Sequence, residues 1–244
     1  MTFIQIILLI LTLAPGRPQS NLLSTIDTPT FRLKYDKKIP VGKIQKVGAS
    51  LETTYAEFRH KLGLSFGRRV AVYAFKNPGS FRAESKSPMY DDGFFKDRRI
   101  YLHVSSGDDT SGRFKEVLAR VVSVALTGGQ PSCPKWLSEL YGMYTGNETG
   151  RFGDPVQLNV STFSDLGEEF GRAKSEGDFK EVYAKLAATA NFFATRYGGN
   201  RLDALLADFK KGVALETALE HTFGEKTTEI ERAWVTSLRA TRGR

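Results

Sequence analysis

The hydrophobic pattern of this 244-residue chain changes character once, near residue 104. Before that point, Thr30–Tyr35 (TFRLKY), Arg69–Phe75 (RVAVYAF) and Arg99–Val104 (RIYLHV) alternate apolar and polar residues, the period of half-buried strands. Between the first two, Ile44, Val47, Leu51, Tyr55, Phe58 and Leu62 recur at helical spacing. This predicts an amphipathic helix over Val41–Leu62, ended by Gly63. Asn77–Gly79 reads as a turn, followed by a short segment around Phe81. Beyond residue 104 only the helical period remains. It covers Arg113–Leu126, a stretch from Pro134 to about Tyr144, Asp178–Tyr197, Asn200–Lys211, Ala214–Phe223 and Thr227–Arg239. Gly198, Gly212 and Gly224 stand at the expected helix ends, and the glycine-rich residues 145–155 read as a loop. The predicted fold is α+β, with a small N-terminal sheet and a packed helix followed by a mainly helical C-terminal half.

Hydrophobic residues make up 41% of the chain and charged residues 25%, enough apolar material for one core and too little for a membrane bundle. The net charge is +8, and Arg17 is the sole charged residue before position 21, so the basic balance belongs to the body of the chain. That charge serves either solubility or attraction to an anionic surface, such as phospholipid or an acidic wall polymer. Nucleic acid is not expected, because the basic residues are scattered and no aromatic-basic module is apparent. The single cysteine, Cys133, reads as a small loop residue, since it has no disulfide partner and structural zinc needs about four ligands.

Residues 3–14 (FIQIILLILTLA) form an apolar run shorter than the roughly 20 residues that span a bilayer. The run fits the hydrophobic part of a signal peptide, with Pro15–Ser20 breaking the helix and cleavage expected after Ser20. No Lys or Arg precedes it, and the remaining alternatives are an N-terminal anchor or a buried element. Residues 1–20 are therefore expected to direct export, to the periplasm or the extracellular space.

The strand and helix segments already named lead on to PKWLSELYGMY, then EVYAKLAATANFFATRYGGNRLDALL, then ALEHTFG before Trp234. This series, over residues 28–240, resembles the peptidase MA-like family of gluzincin-type zinc metallopeptidases. Its most specific piece is Trp136-Leu137-Ser138-Glu139, similar to the family's W-L-x-E-G-L-A segment. The resemblance implies that the preceding helix carries H-E-x-x-H, whose two histidines share one helix face and hold one zinc ion. The intervening glutamate is the general base on zinc-bound water, and a glutamate of the next helix completes the ligand set.

At the matching positions stand Arg120 for the first histidine, Val121 for the general base and Val124 for the second histidine. Valine offers a metal no lone pair, and arginine stays protonated and repels a cation. Glu139 matches the third ligand. Tyr183 matches a tyrosine that donates to the oxyanion in an active relative, but here it reads first as a buried packing tyrosine. Zinc is thus expected to be absent. The edge of the helix carrying 120 and 124 faces the cleft in an active relative, so Arg120 is expected either to pair with Glu139 in place of zinc or to meet Glu116 on the helix surface.

The three histidines, His60, His103 and His221, have no second histidine at ligand spacing and read as structural. Asp91-Asp92 and Asp108-Asp109 lie in turn-like contexts and read as solvated turns, with weak calcium binding the alternative. The expected function is that of an exported, catalytically inactive homologue of a zinc peptidase, binding a peptide, a protein or an anionic envelope polymer. The alternatives are a hydrolase with relocated chemistry using Glu139 and Tyr183, and a basic envelope-binding module.

Overall fold

Strand β1 (Leu23–Asp27) lies antiparallel to β2 (Phe31–Asp36), pairing Thr25 with Lys34 and Asp27 with Arg32. Helix α1 (Val41–Leu62) returns the chain to β3 (Val70–Phe75), which runs parallel to β2. Helix α2 (Pro78–Ser85) follows, then the hairpin of β4 (Gly93–Lys96) and β5 (Arg99–His103). Strand β5 is parallel to β3, which gives a five-stranded mixed sheet in the order β1-β2-β3-β5-β4. The computed structural model describes residues 23–88, 92–105, 112–155 and 159–241, so the apolar run at 3–14, Asp91, Asp108 and Asp109 lie outside the described residues.

The inner face of the sheet carries Phe31, Leu33, Tyr35, Val72, Ala74, Ile100 and Leu102, each buried by α1 or by α3 (Gly112–Thr127). Helix α1 has the expected bounds and ends on Gly63 at φ 64°, with the Gly63 amide donating to the Arg59 carbonyl. The rest is helical: α4 (Lys135–Thr145), α5 (Phe163–Arg172), α6 (Glu176–Tyr197), α7 (Gly199–Phe209), α8 (Leu215–Phe223) and α9 (Thr227–Thr241). Helix α6 is the axis of this half and touches α4, α5, α7 and α9. Its Thr189 hydroxyl accepts a hydrogen bond from Trp234 Nε1 at 2.9 Å, which satisfies the polar end of a fully buried indole. One hydrophobic cluster runs from Phe31 to Leu238 and joins the sheet to the helical half.

Four elements escape the periodicity reading. Strand β1 is an edge strand with no fully buried side chain, so it shows little alternation. Strand β4 has four residues and is set by its turn, where Asp97 and Arg98 both have positive φ as a tight two-residue hairpin requires. Helix α5 is interrupted by Gly167 and Gly171, but its start is fixed by a capping box between Thr162 and Asp165. The expected turn at Asn77–Gly79 is the start of α2. The Asn77 side-chain oxygen accepts from the Gly79 and Ser80 amides, and Pro78 occupies the first helical position. The turn residues are thus helix-starting residues.

Helix α2 covers one end of the outer sheet face, where Phe81 packs with Phe75 and Tyr101. Replacing Asn77 by Ala removes the acceptor for two amides and should lower stability by about 1 kcal/mol. Urea unfolding should show this as a lower midpoint at unchanged slope.

Candidate functional site

Helices α3 and α4 cross where glycine permits the closest approach. A Cβ on Gly142 would lie 2.3 Å from Val124 Cγ2 and 3.3 Å from Arg120 Cγ, so only glycine fits there. The helix edge bearing residues 120 and 124 therefore faces α4. Val121 projects about 100° around the helix and presses on β4, where a Cβ on Gly93 would stand 3.0 Å from Val121 Cγ1 and 2.6 Å from Val117 Cγ1. Arg120, Val121 and Val124 are all buried.

The Arg120 side chain is 2% exposed, yet it is charged, so its guanidinium must be met from all sides. Its Nη1 donates to the Gly93 carbonyl at 2.9 Å, and its Nη2 donates to Asp92 Oδ1 at 2.9 Å. Its Nε lies 3.2 Å from Oε2 of Glu148, whose side chain is fully buried. Arg113 stands seven residues earlier, on the same face of α3. Its Nη2 is 2.9 Å from both Asp92 Oδ2 and Glu148 Oε1, and its Nη1 is 3.6 Å from Glu116 Oε2. Arg151 adds a contact of 3.6 Å to Glu148. Three arginines and three carboxylates thus alternate across α3, the start of β4 and the turn after α4.

The turn that delivers Glu148 is local. Asn147 adopts φ 52°, a left-handed conformation that asparagine tolerates, and its side-chain amide donates to Glu116 Oε1 at 3.1 Å. The Glu148 amide then donates back to the Met143 carbonyl at 2.8 Å. The chain reverses at the end of α4, and Glu148 enters between the two helices.

Arg120 does not form the expected ion pair with Glu139. Its carboxylate partners within 4 Å among the described residues are Asp92 and Glu148. Nor does it meet Glu116, which is held by Arg113 and Asn147. The guanidinium is held by Asp92, the Gly93 carbonyl and the charge of Glu148, and Glu139 turns instead to α6. There the Tyr183 hydroxyl donates to Glu139 Oε2 at 3.3 Å. Tyr183 is 2% exposed and ringed by Phe152, Phe170 and Phe179, so it both packs and donates. Burial pushes the Glu139 carboxyl up to about 7, against the pull of the Arg120 charge and the Tyr183 hydroxyl, with Glu148 adding to the rise.

The structure thus joins Glu139 to Tyr183, and joins Arg120 to Asp92, which the sequence read as part of a solvated turn and which is instead paired with two arginines, and to a network with Arg113, Glu148 and Arg151, which the sequence did not single out. The seven-residue spacing of Arg113 and Arg120 was a usable signal for one face. Nothing in the sequence tied Glu148 to it. This donor set does not fit zinc, because Arg120 and Val124 stand where the resemblance puts the two other ligands, and neither side chain offers a metal a lone pair. Among the described residues no group of three or more His, Cys, Asp or Glu side chains is placed to hold a metal. His60 is exposed on α1, His103 is half-buried at the end of β5, and the exposed His221 has its Nδ1 2.8 Å from Asp208 Oδ2. The Cys133 thiol is buried, which pushes it up to about 11 and keeps it protonated at neutral pH. Compared with models of protein families and with curated proteins, the chain matches none.

Two predictions follow from this geometry. Gly142→Ala should force α4 away from α3 and cost about 1–3 kcal/mol. Adding Val124→Ala should recover part of that loss, a coupling that a double-mutant cycle reads directly. Glu139 binds its proton more tightly when folded (about 7) than the ordinary value of 4.5. The folded state therefore holds the extra proton between those values, and stability falls as pH rises through that window. Glu139→Gln should match the parent below the window and exceed its stability above pH 7, by an amount on the order of 1–3 kcal/mol.

Proposed function

We propose that the chain is a pseudopeptidase, an exported member of the gluzincin-type architecture that keeps the fold and acts by binding rather than by cutting peptides. The observation that carries this reading is the setting of Arg120. At the position the resemblance gives to the first zinc-binding histidine, a permanently charged guanidinium is buried and held by Asp92, Glu148 and the Gly93 carbonyl. An ordinary pH change does not deprotonate it, and a cation placed beside it is repelled. Val121 is occupied in packing against β4 and Val124 in packing against α4. Neither supplies the base or the ligand that hydrolysis through a metal-bound water requires.

A groove beside this network offers the surface for the binding role. The loop that carries Glu148 continues through Thr149, Gly150, Gly153 and Asp154 along one wall of a groove of about 630 Å³, whose other walls are α6 and α9. Asn191 and Thr195 of α6 offer hydrogen-bonding groups there. The ligand class on this reading is a peptide, a protein or an anionic envelope polymer.

A second reading has its own observation. Glu139, with a carboxyl that titrates at about 7, and the Tyr183 hydroxyl beside it form a pair suited to proton transfer near neutrality. On that reading the chain is a hydrolase with relocated chemistry.

Metal analysis after equilibration with zinc, together with a fluorogenic peptide assay on the purified chain, separates the two. The pseudopeptidase reading predicts substoichiometric zinc and no cleavage above buffer. Cleavage abolished by both Glu139→Gln and Tyr183→Phe would establish the second reading and overturn the first.

A further inference from the structure

Among the described residues, the outer face of the sheet is covered by α2 at the end where Phe75, Phe81 and Tyr101 meet, and by no other element. Strand register places Arg32 and Lys34 of β2, Tyr73 of β3, Arg99 of β5 and Lys96 of β4 on this same face. Arg69, at the foot of β3, joins them through Asp27, which lies 3.2 Å from Arg69 and 2.8 Å from Arg32. The carboxylates on the strands of this face are Asp27 and Asp36, while Asp97, in the turn between β4 and β5 beside Arg98, acts on Arg99 without an ion pair. Asp36 accepts from the Lys38 amide at 2.9 Å and so belongs to the turn after β2. Five cations against two carboxylates leave three of the chain's eight net positive charges on one side of one sheet.

Three of these cations are placed differently from those of the buried networks. Arg113, Arg120, Arg151 and Lys185 each meet carboxylates within 4 Å. Lys34, Lys96 and Arg99 meet none among the described residues. Lys34 Nζ sits 5.4 Å from the centre of the Tyr73 ring and Arg99 Cζ 5.8 Å from the same centre, so the two charges lie within about 11 Å of one another. The Tyr73 ring is stacked on Tyr101 at 5.5 Å, which stiffens the floor beneath them. Like charges held this close, without acids between them, favour an anionic partner.

We propose that this sheet face docks on a phospholipid bilayer bearing anionic headgroups, with Lys34, Arg99 and Lys96 contacting phosphates. Two arguments favour a bilayer over single-stranded nucleic acid. Nucleic-acid bases need free aromatic faces, and the Tyr73 ring is already engaged by Tyr101, Lys34 and Arg99. The apolar run at residues 3–14 ends eight residues before β1 starts at Leu23. Eight residues reach at most about 30 Å, and β1 is the edge strand beside Arg32 and Lys34. On the N-terminal anchor alternative, the chain that carries this run enters the sheet at the strand next to Arg32 and Lys34. This inference does not depend on the pseudopeptidase reading, because it uses no residue of α3, α4 or α6.

The test is sedimentation of the full chain with vesicles of phosphatidylcholine alone and of phosphatidylcholine mixed with phosphatidylglycerol. The expected result is tighter binding to the mixed vesicles, weakened by salt, and at least about tenfold weaker for Lys34→Glu/Arg99→Glu. Binding to neutral vesicles should not change in that variant. Lys37→Glu/Lys38→Glu alters net charge equally in the turn after β2 and should lose less. Lys34→Gln/Arg99→Gln gives the same comparison if charge reversal impairs folding. Equal losses in the two charge-reversal pairs would assign the effect to net charge and overturn the proposal. Equal binding of the parent to both vesicle types would also overturn it, assigning the affinity to the apolar run. Tighter, face-dependent binding to a single-stranded oligonucleotide than to the mixed vesicles would replace the bilayer with nucleic acid.

Discussion

The contact between Arg120 and Glu148 ties together the parts of this fold that the sequence keeps apart. Arg120 comes from the middle of α3, and Glu148 from the turn after α4. Asp92, the guanidinium's other carboxylate, lies just before β4. A guanidinium buried to 2% and a carboxylate buried completely must meet each other, because either alone would be a charge without solvent. Such pairs are weak sources of net stability once desolvation is counted, but removing one member costs about 3–5 kcal/mol. Their effect is to fix where α4 ends and where β4 begins relative to α3. Gly142 completes that arrangement by letting the two helices close until Val124 fills the remaining space.

The position of Glu139 follows from this closure. Arg120 is held by Asp92, the Gly93 carbonyl and Glu148, so Glu139 keeps a neighbour of favourable sign without an ion pair, and the Tyr183 hydroxyl is its hydrogen-bond partner. Burial then outweighs the attraction of Arg120, and the carboxyl titrates near neutrality. The same closure of α3 on α4 therefore leaves one acid with a raised proton affinity, held on α4 against α6. The basic outer face of the sheet lies on the far side of the molecule from this interior, with α1 and α3 packed beneath the strands.

The α+β organisation was legible because periodicity carries it. Helix α1 appears in the sequence with its bounds and its Gly63 cap, since a 22-residue apolar stripe with a terminal glycine has few competing readings. Strands β2, β3 and β5 were legible because their inner residues are buried and most of their outer ones are not, Phe75 and Tyr101 being covered by α2. Elements fixed by single turns or caps were not: β4 depends on the positive φ of Asp97 and Arg98, and α2 depends on Asn77 acting as a cap. At the candidate site, the replacement of ligand-type residues at 120, 121 and 124 could be read directly from residue types. The partner of Arg120 could not. Glu148 lies in a glycine-rich loop whose path is set by the left-handed Asn147, and sequence spacing gives no account of where that path leads.

The central claim is that Arg120 and Glu148 act as one buried unit in the fold. The measurement that tests it most directly is a double-mutant cycle of Arg120→Met and Glu148→Gln, read by equilibrium unfolding at neutral pH and low and high salt. The account predicts large single losses that are strongly non-additive, with a coupling on the order of 1–3 kcal/mol that salt barely reduces, since the pair is shielded from solvent. Additive effects, or a coupling that disappears in salt, would place the two side chains in solvent and contradict the account.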